Sequence, residues 1–174
     1  MEIVHTAEFD SPFGSMLCAS TEAGLAYLQL PRASGRGFAG WLRRCAPDAE
    51  VREAWAPNRE VVVQIREYLE GKRDGFTLPL DLRGTPFQRA VWEALRAVPY
   101  GETRTYGELA RAAGHPSAVR AVGAANGANP VPLVVPCHRV VASGGRLGGY
   151  GGGLGLKRRL LALEHQRPLR GDLL

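Results

Sequence analysis

The sequence predicts an α+β fold in two parts. An N-terminal mixed α/β domain with a small antiparallel sheet spans residues 1–82, and a mainly helical C-terminal domain with a helix-turn-helix spans residues 83–174. Three observations predict it: short alternating apolar and polar runs near the start, a capping signature at Thr85, and two short helical patterns flanking Gly114-His115-Pro116. With 45% hydrophobic residues in 174, the chain has the apolar surface for a real core in one domain or two small ones.

The alternating runs are residues 3–9, 15–20 and 24–30, separated by the turn-forming Asp10-Ser11-Pro12 and Thr21-Glu22-Ala23-Gly24. They read as an antiparallel meander. Two helical patterns follow, a weaker one over 37–45 and a clearer one over 58–69 that ends at Gly71-Lys72-Arg73. Trp41, Trp55 and Tyr68 read as core. An extended stretch over 78–83 leads to Gly84-Thr85-Pro86-Phe87-Gln88, where Thr85 suits the N-cap, Pro86 the first helical position and Gln88 the capping box. Phe87, Val91, Leu95 and Val98 recur at a helical interval until Pro99-Tyr100-Gly101 stops the run.

Residues 105–113 and 117–126 form the two helical patterns of the helix-turn-helix. The second is almost all small residues around Arg120. Small side chains allow a backbone to lie against a narrow surface such as a minor groove, leaving one long side chain to probe the base stack. An Ala-rich helix packed in a core gives the same pattern. The glycine-dense run from Gly144 to Gly155 is not a phosphate loop, because it lacks Gly-Lys-Ser/Thr and no G-x-G-x-x-G register fits. A closely approaching backbone around Tyr150 fits it better. The last helix is expected over 156–165, with Leu156, Leu160 and Leu163 facing the core and Lys157, Arg158 and Arg159 facing solvent.

Charge divides the chain at Arg83. Residues 1–82 hold nine Lys or Arg against twelve Asp or Glu, net −3, whereas residues 83–174 hold thirteen against five, net +8. The basic half suits a polyanion, with nucleic acid the leading candidate. Arginine supplies twenty of the 22 basic residues, which favours phosphate recognition. No stretch approaches the roughly 20 apolar residues of a membrane span, and acids stand where a secretion signal carries bases, so a cytoplasmic protein is expected. Cys18, Cys45 and Cys137 show no paired spacing, and with His5, His115, His138 and His165 they form no close metal-binding pattern. Reduced thiols and no metal are the expectation.

The chemistry is expected where Cys137 and His138 stand side by side, between the proline-stiffened run Asn129-Pro130-Val131-Pro132-Leu133-Val134-Val135-Pro136 and the glycine-rich tail. A cysteine is a strong nucleophile only as thiolate, and from a free pKa of roughly 8.5 it needs a base or a cation nearby. His138 and Arg139 are the nearest candidates. A lone cysteine as a small buried hydrophobe is the competing reading.

The ordered set Thr85-Pro86-Phe87-Gln88, Tyr106, Arg120-Ala121-Val122-Gly123, Asn129-Pro130, Pro136-Cys137-His138-Arg139-Val140, Tyr150 and Glu164 resembles the O6-alkylguanine-DNA alkyltransferases. The match is close over residues 84–165 and holds only in outline before them. The resemblance implies a single-turnover repair protein that flips O6-alkylguanine, and less readily O4-alkylthymine, from double-stranded DNA and moves the alkyl group irreversibly onto Cys137. It implies that His138 deprotonates Cys137 through a bridging water, that Glu164 orients the imidazole, that Asn129 orients the loop before Cys137, and that Tyr150 donates a proton or hydrogen bond to the departing guanine.

The implied DNA contacts are Tyr106, which presses on the target phosphate, Arg120, which fills the vacated stack, and Ser117 and Ala121 beside it. The implied pocket is lined by Tyr106, Val140, Tyr150 and Gly151, with the carbonyls of Val140 and Cys137 reading the guanine amino group. Gly151 stands where the mammalian members carry a serine. No cofactor is implied, and no match is seen for the zinc ligands some members carry. A monomer is the working expectation, with cooperative binding on DNA open. The alternative is a non-catalytic lesion-recognition protein of the alkyltransferase-like type, whose simple form Cys137 excludes.

Overall fold

A computed structural model of the chain describes residues 1–33 and 35–166, so the last eight residues of the expected C-terminal domain lie outside the described residues. The chain divides into two compact units: Met1–Gly84 together with Pro130–Pro132, and Thr85–Asn129 together with the chain from Leu133 onward.

In the first unit the alternating runs become β1 (Ile3–Ser11), β2 (Gly14–Thr21) and β3 (Gly24–Gln29), joined as the expected antiparallel meander. Their inward residues, Val4, Ala7, Phe9, Met16, Cys18, Leu25 and Leu28, are all buried. Gly24 opens β3 at φ +137°, where a Cβ would stand 2.3 Å from the Pro79 carbonyl oxygen. Only glycine fits there. That close approach lets Leu25 donate to Pro79 at 2.9 Å and accept from Asp81 at 2.9 Å, which is the extended stretch expected over 78–83.

Helix α1 (Gly37–Cys45) sets Trp41, 2% exposed, against Val4, Ala19, Ala26 and Ala46. Helix α2 (Arg59–Leu69) buries Val61, Val62, Ile65, Tyr68 and Leu69. Between them a fourth strand, β4 (Glu50–Glu53), pairs in parallel with β1 and completes the order β3-β2-β1-β4. The sheet is therefore mixed rather than wholly antiparallel. All four residues of β4 are exposed, so the strand carries no hydrophobic alternation to reveal it.

Trp55 is also not core: it is 50% exposed, and Asn58 takes the interior position after it. The Asn58 amide accepts from the Ser20 hydroxyl at 2.8 Å and donates to the carbonyls of His5 at 3.1 Å and Ala54 at 2.9 Å. A fully satisfied amide costs little to bury, whereas an indole can remain half in solvent.

The second unit opens with α3 (Pro86–Arg96) and the full capping box: Gln88 N donates to Thr85 Oγ1 at 3.1 Å, and Thr85 N donates to Gln88 Oε1 at 3.0 Å. Val91, Leu95 and Val98 are buried as expected, and Trp92 beside them is 1% exposed with its indole N–H on the Ala125 carbonyl at 2.9 Å. Phe87 is half-buried, with its ring against His115 at 4.8 Å.

Two short strands, β5 (Arg104–Thr105) and β6 (Val140–Val141), pair in parallel. Helices α4 (Tyr106–Ala112) and α5 (Val119–Gly127) form the helix-turn-helix, and α6 (Leu154–Gln166) closes the described chain. No helix among the described residues is long and apolar enough to cross a membrane.

Candidate active site

Cys137 begins a single 3₁₀ turn, Cys137–Arg139, that runs straight into β6. Pro136 stands at the N-cap of this turn, and Leu133 three residues ahead of it takes a left-handed backbone at φ +71°. Asn129 at the end of α5 fixes this loop: its side-chain N–H donates to the Val135 carbonyl at 2.7 Å, and Cys137 N donates to the same carbonyl at 2.8 Å.

Cys137 is 6% exposed, and burial pushes its thiol up to about 11, although hydrogen bonds from Asn129 and Tyr150 and the charge on Lys157 pull the other way. A thiol raised this far is protonated at neutral pH. A base is needed. Burial pushes Cys18, in β2, higher, to about 12, and it lies at 0% exposure.

His138 is fully buried, with Nε2 at 2.9 Å from Glu164 Oε2. Burial raises the energy of a charged Glu164, but its bonds to His138 and Arg139 outweigh that and hold the carboxyl down at about 2. An ionised carboxylate only accepts, so Nε2 carries the imidazole proton and Nδ1 is the basic nitrogen. Burial also drives the His138 pKa below the ordinary 6.5, against the pull of Glu164, so the ring is neutral at pH 7.

Arg139 completes the chain of contacts. Its Nε and Nη2 donate to Glu164 at 2.9 Å each, Nη1 donates to the Val98 carbonyl at 2.8 Å, and the guanidinium lies 5.5 Å from the centre of the Tyr100 ring. It is thus the anchor of Glu164 rather than a cation directed at the thiol. His138 follows Cys137 directly in the chain, and its neutral imidazole is oriented by a carboxylate fixed in turn by a guanidinium, which is the base–acid half of a nucleophile–base–acid triad.

Lys157 corrects the expectation of a solvent-facing cluster in α6. It is 0% exposed, as are Leu160 and Glu164, whereas Arg158 and Arg159 do face solvent and Leu156 and Leu163 are only half-buried. The inward stripe is Lys157, Leu160 and Glu164, at helical spacing i, i+3, i+7. A lysine can join it because backbone carbonyls surround its ammonium.

Tyr106 opens α4, its ring between two glycines: a Cβ at Gly123 would lie 3.7 Å from the ring, and one at Gly148 would lie 3.0 Å from the hydroxyl. Gly148 also sits at φ +71°. Gly148→Ala is therefore expected to lower stability by about 1–2 kcal/mol, from left-handed strain and displacement of Tyr106, whereas Gly123→Ala should be nearly neutral. Urea denaturation of both variants checks this.

Tyr150 is half-buried and hydrogen-bonds to Cys137, Val140 is buried, and Gly151 is exposed with no atom within 4 Å of a hypothetical Cβ. Ser117, Arg120 and Ala121 are exposed; Ser117 precedes α5, which starts two residues later than the sequence pattern implied. Helix α5 turns Val122, Ala125 and Asn126 inward and Arg120, Ala121 and Ala124 outward. That leaves a flat face with one long basic side chain.

Residues 86–166 match the family model described as 6-O-methylguanine DNA methyltransferase, DNA binding domain, and residues 4–82 match its ribonuclease-like domain. The methylated-DNA--protein-cysteine methyltransferase of Methanosarcina acetivorans is 42% identical over 165 residues, covering 92% of this chain and 98% of that protein. The inducible methylated-DNA--protein-cysteine methyltransferase of Bacillus subtilis is 45% identical over 155 residues, covering 89% of this chain and 87% of that protein. The crystal structure of Mycobacterium tuberculosis OGT in complex with DNA superposes with a TM-score of 0.81 at 42% identity, covering 94% of each chain. The chain belongs to the 6-O-methylguanine DNA methyltransferase family.

Proposed function

We propose that this chain is a DNA repair protein that turns O6-alkylguanine out of duplex DNA and transfers the alkyl group irreversibly to Cys137. The observation that carries the reading is the buried Cys137 beside the His138–Glu164–Arg139 chain, in the same unit as a helix-turn-helix whose open face bears Arg120. The relatives named methylated-DNA--protein-cysteine methyltransferase and the Mycobacterium tuberculosis structure with DNA support the reaction and the partner.

In this reading the flat face of α5 enters the minor groove. A buried thiol cannot reach a stacked base, so the nucleotide must rotate out, at a cost of roughly a few kcal/mol. Arg120 fills the gap, and Tyr106 presses on the target phosphate, with Ser117 and Ala121 in contact with the backbone and groove. In the pocket, Cys137 loses its proton to His138 Nδ1 through a water. The new bond is S–C(alkyl), the broken bond is C–O6, and its electron pair leaves with the guanine, which Tyr150 meets with a proton or hydrogen bond. The thiol proton ends on the guanine, so the products are an intact base and a neutral thioether.

The carbonyls of Val140 and Cys137 already accept from Lys157 Nζ at 2.6 Å and from Val140 N respectively, and each keeps a second lone pair for the guanine amino group. Gly151 contributes backbone alone at the pocket rim. O4-alkylthymine as a lesser substrate, a monomeric state and a cytoplasmic location complete the proposal.

Arg120→Ala tests the flipping step. Repair of O6-methylguanine in duplex DNA is expected to slow by about tenfold, the equivalent of 1.4 kcal/mol of lost flipping energy, while reaction with the free base O6-benzylguanine stays unchanged. Equal rates on the duplex for variant and parent would remove Arg120 from the mechanism.

A further inference from the structure

Lys157 takes no part in the alkyl transfer as derived above, yet it is a fully buried cation beside the site. Its Nζ donates to the carbonyls of Val140 at 2.6 Å, Gly149 at 3.1 Å and Leu147. Three acceptors around one nitrogen require three N–H donors, which only the ammonium supplies; a neutral amine has two. Burial lowers the Lys157 pKa and the Cys137 charge opposes that fall, so cation and thiol support one another's ionised forms.

The three carbonyls belong to different places. Val140 follows the Cys137–Arg139 turn, whereas Leu147 and Gly149 belong to the glycine-rich strap that leads to Tyr150, whose hydroxyl reaches Cys137. The same strap meets Tyr106 through a hydrogen bond between its hydroxyl and the Gly149 backbone and through the close approach of Gly148. A segment this rich in glycine does not hold one conformation by itself. Without the ammonium, the carbonyls of buried Val140, half-buried Leu147 and exposed Gly149 would lose this partner at once, and the first two are costly to leave unpaired.

We infer that Lys157 is a positioning residue of the alkyl transfer: its ammonium ties the glycine-rich strap to the carbonyl of Val140, seats Tyr150 on the thiol and provides a fixed positive charge beside Cys137. This deepens the proposed reaction and rests on Cys137 as the acceptor. Among the described residues, the titratable and charged groups that act on the thiol are Tyr106, Tyr150 and Lys157, with His138 next to it in the chain and Glu164 and Arg139 behind His138.

The chain has two lysines, Lys72 and Lys157, which makes the test direct. In the full-length protein, the rate at which iodoacetamide modifies Cys137, followed by peptide mass against pH, reports thiolate without any guanine substrate. Lys157→Met is expected to fold, shift the profile to higher pH and slow modification at pH 8 by about tenfold. Lys157→Arg, which keeps the charge but not the three-way donor geometry, should recover most of that rate and should still lose alkyl transfer to Cys137. An unchanged profile in folded Lys157→Met would overturn the inference.

Should Lys157→Met fail to fold, the parent protein labelled with ¹⁵N-lysine decides. The Nζ resonance of Lys157 is expected to move through the Cys137 titration while that of Lys72 does not. An Nζ signal indifferent to Cys137 would likewise overturn it. Failure of alkyl transfer in the parent, with the iodoacetamide result intact, would sink the proposed function and leave the Lys157–Cys137 coupling standing.

Discussion

Cys137→Ser is expected to abolish alkyl transfer, by at least about three orders of magnitude, while affinity for duplex DNA bearing O6-methylguanine stays within about threefold. The substitution removes one sulfur and adds nothing bulky, so the 3₁₀ turn, the Asn129 bond to Val135 and the His138–Glu164 contact survive. What disappears is the polarisable nucleophile. A hydroxyl is far less acidic than a thiol, and the site that already pushes the thiol up to about 11 would leave the hydroxyl protonated throughout. Single-turnover assays with labelled methyl DNA read the rate, and fluorescence anisotropy reads the affinity. Residual transfer near the parental rate would mean that another side chain accepts the group.

Glu164→Gln is expected to destabilise the second unit by about 3–5 kcal/mol, because it leaves the Arg139 guanidinium and the His138 imidazole facing a neutral amide at a site 0% exposed. Pairing it with Arg139→Met should restore part of the loss. The two residues form one ion pair, so a double-mutant cycle must show strong coupling, and additive losses would contradict the geometry.

The same carboxylate fixes the sign of the pH dependence. Its folded pKa, about 2, lies below the ordinary 4.5, so its stabilisation is complete above pH 4.5 and is lost as pH falls towards 2. The His138 shift points the same way: a ring whose pKa is lowered from 6.5 by burial favours unfolding once the pH drops below 6.5. Stability should therefore decline progressively on acidification from about pH 6.5. Thermal melts between pH 8 and pH 4 test this, and a stability that rose on acidification would refute the buried neutral imidazole.

Legibility in the sequence followed the strength of local signals. The meander and α3 were readable because alternation and the Thr85–Gln88 box are local patterns, and both appear in the structure where the pattern set them. Strand β4 was not readable, since an edge strand with every residue exposed has no apolar period. Trp55 misled for a related reason: residue type alone implied core, whereas Asn58 held the interior by satisfying its amide from three sides.

At the site, Cys137 and His138 were legible from adjacency, and Glu164 entered only through the family resemblance. Helical geometry contained a further clue that charge obscured. Lys157, Leu160 and Glu164 share one face, but a period counted on leucines alone turns that face by one residue and sends Lys157 outward. Arg139 was similarly read as a cation for the thiol because it is near in sequence. Its actual partners, Glu164 and the Val98 carbonyl, are 25 and 41 residues away, and only the tertiary structure brings them together.

The central claim, irreversible transfer to Cys137, is tested most directly by the intact mass of the protein after incubation with duplex DNA containing O6-methylguanine, with Cys137→Ala alongside. The account predicts one added methyl group per parent molecule, none on the variant, and no further turnover once the parent is methylated. Tight binding to the lesion with an unchanged mass would contradict it and would make the chain a lesion-recognition protein.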